Sequence, residues 1–208
     1  MMKLYLIRHG ESYVNLPDWQ KGYIDVGLTE LGHQQAHALA KWLPSHIPTI
    51  DMLYTSTMKR AQETASYIAK TYDQPIHEDD RLREAGNNRS DHTPWASEDL
   101  PHEVADFWAS ERPFSLFILQ EHSETWMHFR TRVGLFIEDM VENYRDKIVV
   151  AVCHGGVVTA AFDHVFNVGA WQQCDIRNHN TGITHFEYVN LPNREKWWLH
   201  YHNRVEHL

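Results

Sequence analysis

Short apolar runs alternate along this chain with longer stretches in which apolar residues recur every three or four positions. The short runs are rich in β-branched and aromatic residues, a pattern typical of buried strands. They predict six strands, at residues 3–7, 50–54, 76–77, 148–153, 183–189 and 196–202.

The three-to-four periodicity predicts four helices between these strands. The first opens at Thr29 and ends at Pro44, and the second runs to Tyr72 with N-cap candidates among residues 55–57. The third, from Trp126 to Tyr144, has the clearest periodicity, and the fourth covers residues 156–166. The predicted apolar face of the first helix consists of Leu31, Ala36, Leu39, Ala40 and Leu43.

This order of strands and helices is typical of one α/β domain over residues 1–208 with a mainly parallel sheet. Residues 85–122 interrupt the pattern, since they show no clear periodicity and scatter aromatic residues among acidic ones. We expect this segment to be an insert that covers one edge of the sheet.

Two of the predicted strands lead directly into a His-Gly pair. Strand 3–7 is followed by Arg8-His9-Gly10, and strand 148–153 by His154-Gly155-Gly156. Ligands bind α/β sheets at the carboxyl ends of the strands, where strands lead into helices. An apolar strand rarely needs an imidazole at its end for structural reasons. Two imidazoles and a guanidinium at this edge therefore indicate an anion site suited to phosphate.

The overall charge limits the partners of such a site. The 208 residues carry a formal net charge of −9, which argues against nucleic acid or an anionic membrane as the main partner. No apolar stretch has the length of a membrane span, and because the first residues read as a strand we expect neither a signal peptide nor a membrane anchor. Cys153 and Cys174 form neither a disulfide framework nor a CxxC metal motif. We expect a cytoplasmic protein.

Several further motifs follow one another in the order of a known family. Residues 6–12 read Leu-Ile-Arg-His-Gly-Glu-Ser, residues 27–32 read Gly-Leu-Thr-Glu-Leu-Gly, and residues 60–65 read Arg-Ala-Gln-Glu-Thr-Ala. Residues 82–84 read Leu-Arg-Glu, and residues 152–156 read Val-Cys-His-Gly-Gly. The series resembles the histidine phosphatase superfamily in its phosphoglycerate-mutase-like branch. The resemblance implies a three-layer α/β/α sandwich with a mostly parallel central sheet.

The residues at these positions supply the groups that cleavage of a phosphate monoester requires. His9 is the candidate nucleophile, which attacks phosphorus and becomes a phosphohistidine. Arg8 and Arg60 hold the phosphoryl oxygens through their forked donors. His154, as an imidazolium, donates a further hydrogen bond in the transition state. Glu84 is the candidate general acid, which protonates the leaving oxygen and then activates water.

Substrate binding is assigned to residues around this cluster, namely Arg8, Asn15, Gly22, Arg60 and Gly155. Asn15 is expected to donate a hydrogen bond to the phosphate. The amides after Gly155 are expected to add the anion affinity of a helix N-terminus.

The sequence indicates no metal and no cofactor. His33 and His37 lie four residues apart on the first predicted helix, but the sequence offers no third ligand that would join them. We interpret this pair as part of a solvated helix face.

Three functions fit these observations. The first is a cofactor-independent phosphatase of small phosphorylated metabolites, and the second is a phosphoglycerate mutase that uses the same phosphohistidine chemistry. The third is a non-catalytic protein that binds a phosphate ligand, which a nucleophile and an acid argue against. Acidic residues outnumber basic ones in the 85–122 insert, which favours the phosphatase over the mutase. The expected partner is a small-molecule phosphomonoester, and a homodimer is left open.

Overall fold

A computed structural model of the chain describes residues 1–17, 19, 25–96, 121–169, 174, 176–191 and 194–208. The described strands are β1 (Met2–Arg8), β2 (Met52–Thr55), β3 (Ile76–Glu78), β4 (Ile148–Cys153), β5 (Ile183–Leu191) and β6 (Arg194–Arg204). The described α-helices are α1 (Glu30–Trp42), α2 (Lys59–Tyr72), α3 (Trp126–Asn143) and α4 (Gly155–Val165). In these parts of the chain, no helix is both long and apolar enough to cross a membrane.

The six strands form one sheet in the order β3-β2-β4-β1-β5-β6. β3, β2, β4 and β1 are parallel neighbours, whereas β5 is antiparallel to β1 and β6 is antiparallel to β5. In the central pair, Arg8 at the end of β1 lies opposite Cys153 at the end of β4. The residues that follow, His9 and His154, therefore leave the same edge of the sheet side by side, as the sequence predicted.

Each face of the sheet packs against its own pair of helices. In β4, Val149, Ala151 and Cys153 join the core formed with α3 and α4. Val150 and Val152, which alternate with them, join the core formed with α1 and α2. This alternation is the period of two expected of a strand that is buried on both faces. The arrangement is the expected three-layer α/β/α sandwich.

Two local predictions were wrong. Leu31 is 48% exposed and does not belong to the apolar face of α1, whose buried residues include Ala36, Leu39 and Ala40. The N-cap residue of α2 is Met58, not one of the hydroxyl residues at 55–57, and no N-cap side chain binds the helix backbone. Thr55 is still part of β2, while the hydroxyls of Ser56 and Thr57 contact His154 and Asp80.

The predicted insert falls largely outside the described residues, since 97–120 are not among them. Its two ends are described. Residues 85–96 follow the turn at Asp80–Leu82, and residues 121–125 lead into α3.

The backbone of helix α1 packs directly against the backbone of the loop that follows β1 and carries His9, which we call the His9 loop. A Cβ atom on Gly10 would lie 2.6 Å from the carbonyl oxygen of Gly32, and a Cβ atom on Gly32 would overlap the carbonyl oxygen of Glu11. The Thr29 side chain caps the helix by accepting from the Gly32 amide, and the Thr29 amide donates to the Glu11 carbonyl at 3.0 Å. The start of α1 is therefore anchored to the loop that carries His9.

Gly32→Ala is expected to destabilise the protein, although the same change inside most helices is favourable by about 1 kcal/mol. The added methyl group meets backbone rather than a flexible side chain, so α1 and the His9 loop must separate. We expect a loss of about 1–3 kcal/mol in urea unfolding. Gly169→Ala is the matched control, since nothing lies within 4 Å of its Cβ position. If Gly32→Ala instead raises the free energy of unfolding, the His9 loop can move away from α1 without cost and the prediction is wrong.

Candidate active site

His9 follows the last residue of β1, and its backbone is held by the end of β4 and by the turn before β5. Its amide donates to the carbonyl of Cys153 at 2.9 Å, and its carbonyl accepts from the side-chain amide of Asn180 at 3.0 Å. The side chain is only 3% exposed. The ring therefore occupies a defined position at the carboxyl edge of the sheet.

The hydrogen bonds of the His9 ring determine which nitrogen carries the proton. Nδ1 lies 2.6 Å from the carbonyl oxygen of Gly10, an acceptor that requires a proton on this nitrogen. Nε2 lies 3.2 Å from Nε of Arg60, which donates to it. The neutral ring therefore carries its proton on Nδ1 and a lone pair on Nε2, as a nucleophile needs.

His154 lies beside His9 at the start of α4. The two ring centroids are 5.0 Å apart with an interplanar angle of 61°. Nε2 of His154 lies 2.9 Å from the hydroxyl of Ser56 at the end of β2. Within the described part of the chain, the buried Nδ1 of His154 has no hydrogen-bond partner.

Burial keeps both imidazoles neutral. The pKa of His9 is well below 6.5, chiefly because of desolvation, with the charges of Arg60 and Arg8 acting in the same direction. Desolvation followed by the charge of Arg60 also lowers the pKa of His154. The sequence interpretation of His154 as an imidazolium is therefore not supported for the free enzyme, in which a neutral N–H is the available donor.

Two arginines place positive charge beside the histidines. Arg60, on α2, is 3% exposed, and burial lowers its pKa to about 10, so it stays protonated at neutral pH. Nη1 of Arg8 donates to the carbonyl of Asn178 at 2.5 Å, which orients the guanidinium. Arg60 donates to Nε2 of His9, so its guanidinium fork lies beside the nitrogen that the sequence predicts to attack phosphorus.

Glu84 reaches the same region from the loop after the Asp80–Leu82 turn. One carboxyl oxygen of Glu84 accepts from the amide of the next residue, Ala85, at 2.9 Å. The other accepts from the Gly156 amide at 3.2 Å. Desolvation raises the pKa of Glu84, although these two amides and the charge of Arg60 oppose the shift. A carboxyl whose pKa is raised keeps its proton to higher pH, as a general acid requires.

The structure brings some of the predicted substrate-binding residues to the site, but not all of them. Oδ1 of Asn15 accepts from the Ser12 amide and from Asn180, which leaves its NH₂ group as the donor. Gly155 lies in the site, because its Cβ position is 3.9 Å from Nε of Arg8. The Gly156 amide is taken up by Glu84 and does not face an open anion site as expected. Gly22 lies outside the described residues.

Two hydroxyl residues that sequence reasoning did not assign to the site support it directly. Ser56 binds the His154 ring, as described above. Thr64 accepts from the Gly10 amide at 3.0 Å and donates to the carbonyl of Arg60 at 2.8 Å, which ties α2 to the His9 loop. Arg60 and Thr64 are four residues apart and therefore lie on one helix face, which is the sequence signal that could have identified Thr64.

In the described ranges, one group of three side chains has metal-ligand atoms close together, namely His185, Glu187 and His200. It lies on β5 and β6, where His185 pairs with Tyr5 in the middle of β1, so it is separate from the His9 site. The rings of His185 and His200 are stacked at 15°, which directs their in-plane lone pairs side by side rather than toward one ion. We interpret the group as a stacked pair with a His200–Glu187 hydrogen bond.

A comparison with protein families agrees with this geometry. The model of the histidine phosphatase superfamily (branch 1) matches residues 4–203, which include both histidine motifs. The chain belongs to the histidine phosphatase superfamily. This confirms the family that the motifs indicated.

Individual relatives support the same conclusion. Phosphoserine phosphatase 1 of Hydrogenobacter thermophilus is 30% identical over 160 residues, which cover 74% of this chain and 71% of that protein. The metal-independent phosphoserine phosphatase of Arabidopsis thaliana is 25% identical over 209 residues, which cover 99% of this chain and 83% of that protein. The predicted enzyme class is confirmed: the chain is a phosphatase of the histidine phosphatase type.

A solved structure confirms the fold. The crystal structure of phosphoserine phosphatase from Entamoeba histolytica in complex with 3-phosphoglyceric acid matches with a TM-score of 0.73 at 24% sequence identity. The match covers 100% of this chain and 99% of that one. This chain and the Entamoeba protein therefore share the α/β/α sandwich over their whole length.

We expect the His9 ring to remain neutral at pH 6 in buffer free of phosphate, with its proton on Nδ1. The physical reason is that desolvation and the charges of Arg60 and Arg8 hold its pKa well below 6.5. The measurement is ¹⁵N NMR of the ring nitrogens, with the His9→Gln variant to assign the signal. A charged ring at pH 6, or a proton on Nε2, would contradict this assignment.

The same pKa shift has a consequence for stability. Near pH 6 the unfolded chain binds a proton at His9 and at His154 that the folded chain does not bind. The free energy of unfolding is therefore expected to fall as the pH is lowered through 6.5. Removing one of these imidazoles, as in His154→Gln, should weaken that dependence.

Proposed function

We propose that this histidine phosphatase hydrolyses small phosphorylated metabolites through a phosphohistidine on His9, without a metal or cofactor. The observation that carries the proposal is the state of the His9 ring. Its Nε2 bears a lone pair, is 3.2 Å from the Arg60 guanidinium and belongs to a ring held neutral by burial. A site built only to bind phosphate gains nothing from a nucleophile in this state.

In the first step, Nε2 of His9 attacks phosphorus and the ester P–O bond breaks. Arg8 and Arg60 neutralise the phosphoryl oxygens, whose charge is the main obstacle to attack. Nε2 of His154 lies 2.9 Å from the Ser56 hydroxyl, and in the tautomer that we propose Ser56 donates to it and the ring carries its proton on Nδ1. That buried N–H adds a donor for a phosphoryl oxygen.

Glu84 provides the proton for the leaving alkoxide in this step. In the second step the carboxylate takes a proton from water, which attacks the phosphohistidine and releases inorganic phosphate. The raised pKa of Glu84 suits the first role, and its contact with the Gly156 amide holds it beside α4, close to His154.

The substrate class that we propose is a small metabolite that carries an alkyl phosphate, with phosphoserine as the first candidate. Its support is the names of the relatives from Hydrogenobacter and Arabidopsis, which are phosphoserine phosphatases. A cytoplasmic location stays a prediction from the sequence, and the sequence leaves the oligomeric state open.

We expect His9→Ala to abolish turnover, while the wild-type enzyme keeps its activity in the presence of a chelator because arginines neutralise the phosphate. Rapid quenching with ³²P-labelled phosphoserine should trap label on wild-type protein and none on the variant. His37→Ala, which changes an exposed histidine, is the control. A parallel assay of 3-phosphoglycerate isomerisation separates the functions, since rapid isomerisation with slow phosphate release would identify a mutase.

Glu84→Gln is expected to slow phosphoryl transfer from an alkyl ester by about 10²–10⁴-fold, because an alkoxide leaves poorly without a proton. Transfer from p-nitrophenyl phosphate should be much less affected, since its phenolate leaves unaided. Single-turnover rates for both esters provide the measurement. Glu78→Gln, at an exposed carboxylate on β3, is the matched control. Equal losses for the two esters would remove Glu84 from the acid role.

A further inference from the structure

The loop that carries Glu84 packs against a fully buried arginine on α3. Arg132 has 0% of its surface exposed and lies next to the backbone of residues 81–86, which we call the acid loop. Its guanidinium stands 4.6 Å from the centre of the Phe129 ring, which covers one face. Sequence reasoning did not assign Arg132 to the site.

Every N–H of the Arg132 guanidinium is used. Nη1 donates to the carbonyls of Arg81 at 2.8 Å and Arg83 at 2.7 Å, and Nη2 donates to the carbonyl of Glu84 at 3.0 Å. The other two bonds go to Glu124, from Nη2 at 2.7 Å and from Nε at 2.9 Å. An arginine has five N–H donors, and this arrangement satisfies all of them.

Glu124 closes the arrangement from the other side. The carboxylate is 4% exposed, and the oxygen that binds Nη2 of Arg132 also accepts from the Gly86 amide at 2.7 Å. The Arg132–Glu124 pair thus binds the acid loop on both sides of Glu84, at two carbonyls before it, at its own carbonyl and at an amide after it.

A buried ion pair of this kind contributes little net stability, because desolvation of two charges offsets their attraction. What it does provide is geometry. The planar fork of Arg132 can satisfy its donors only when three carbonyls of the acid loop are directed at it. A lysine in its place would offer fewer donors and no fixed plane.

We propose that Arg132 and Glu124 are positioning residues, which hold the acid loop so that the Glu84 carboxyl lies in place for proton transfer. The proposal rests on the role of Glu84 under the proposed function. Neither residue is required to touch the substrate. The carboxyl of Glu84 is held by the amides of Ala85 and Gly156, and its backbone is held by the pair.

The test compares single-turnover phosphoryl transfer from phosphoserine and from p-nitrophenyl phosphate. Arg132→Lys keeps the charge for Glu124 but loses the fork, and we expect a loss of about 10- to 100-fold with phosphoserine, as for a displaced catalytic group. The loss with p-nitrophenyl phosphate should be several-fold smaller. The inhibition constant of inorganic phosphate should stay within about 3-fold, because Arg8 and Arg60 are the proposed phosphate ligands, whereas Arg132 donates to the acid loop and to Glu124.

Arg130→Lys is the matched control. Arg130 lies two residues earlier on the same helix and also donates to backbone carbonyls, but these belong to Asp163, Val168 and Gly169 at the end of α4. Both lysine variants lose a buried or half-buried guanidinium fork. Only Arg132→Lys should show a loss that depends on the leaving group.

A double-mutant cycle with Glu84→Gln decides whether Arg132 acts through Glu84. If it does, Arg132→Lys should change the rate by less than about 3-fold once Glu84 is replaced. Equal costs in the two backgrounds, or an Arg132→Lys variant with wild-type rates, would overturn the proposal. Should that variant fail to fold, Glu124→Gln removes one side of the pair and is used in the same cycle.

Failure of the proposed function is a separate result. Glu84→Gln alone reports on the acid role through the difference between the two esters. If that difference is present and the cycle is additive, the positioning role fails and the acid role stands. If the difference is absent and the cycle is not additive, the acid role fails, whereas Arg132 still acts through Glu84.

Discussion

The parallel pairing of β1 with β4 is the constraint on which the active site depends. Arg8 lies opposite Cys153, so the residues that follow them, His9 and His154, leave the sheet side by side. The centroids of their rings are 5.0 Å apart. A shift of one residue in this register would move one ring to the other face of the sheet. The burial of both strands on both faces prevents such a shift, because each alternate residue belongs to one of the two cores.

Burial then determines the chemistry of the residues at this edge. The same desolvation lowers the pKa of His9 and raises that of Glu84, so it favours the neutral form of each group. Arg60 is also buried, but its pKa of about 10 leaves it charged at neutral pH. Positive charge is therefore concentrated at this edge, although the protein as a whole carries a formal net charge of −9.

The proposed catalytic groups reach the site from four different elements, and backbone contacts fix them relative to one another. Thr64 joins α2 to the Gly10 amide, the start of α1 lies against Glu11, and the Gly156 amide joins α4 to Glu84. The Arg132–Glu124 pair adds α3 through the acid loop. The precision of the site thus comes from hydrogen bonds to the main chain in regions where water is excluded.

The sequence by itself determined the fold class and the strands of the sheet, because apolar periodicity is a local signal. Strand-end motifs pointed to Arg8, His9 and His154 as candidate site residues, whereas Arg60 and Glu84 became candidates only through the resemblance to a family. The sequence also indicated that Arg8, His9 and His154 lie at one edge, since the carboxyl ends of parallel strands meet on the same side of a sheet. Only the tertiary structure decided the tautomer of His9, the neutral state of His154 and the use of the Gly156 amide by Glu84. These depend on which donor faces which acceptor and on how much water reaches each group. For the same reason Arg132, which resembles any helical arginine in the sequence, was recognised only from its contacts with a loop that lies 48 to 51 positions earlier in the chain.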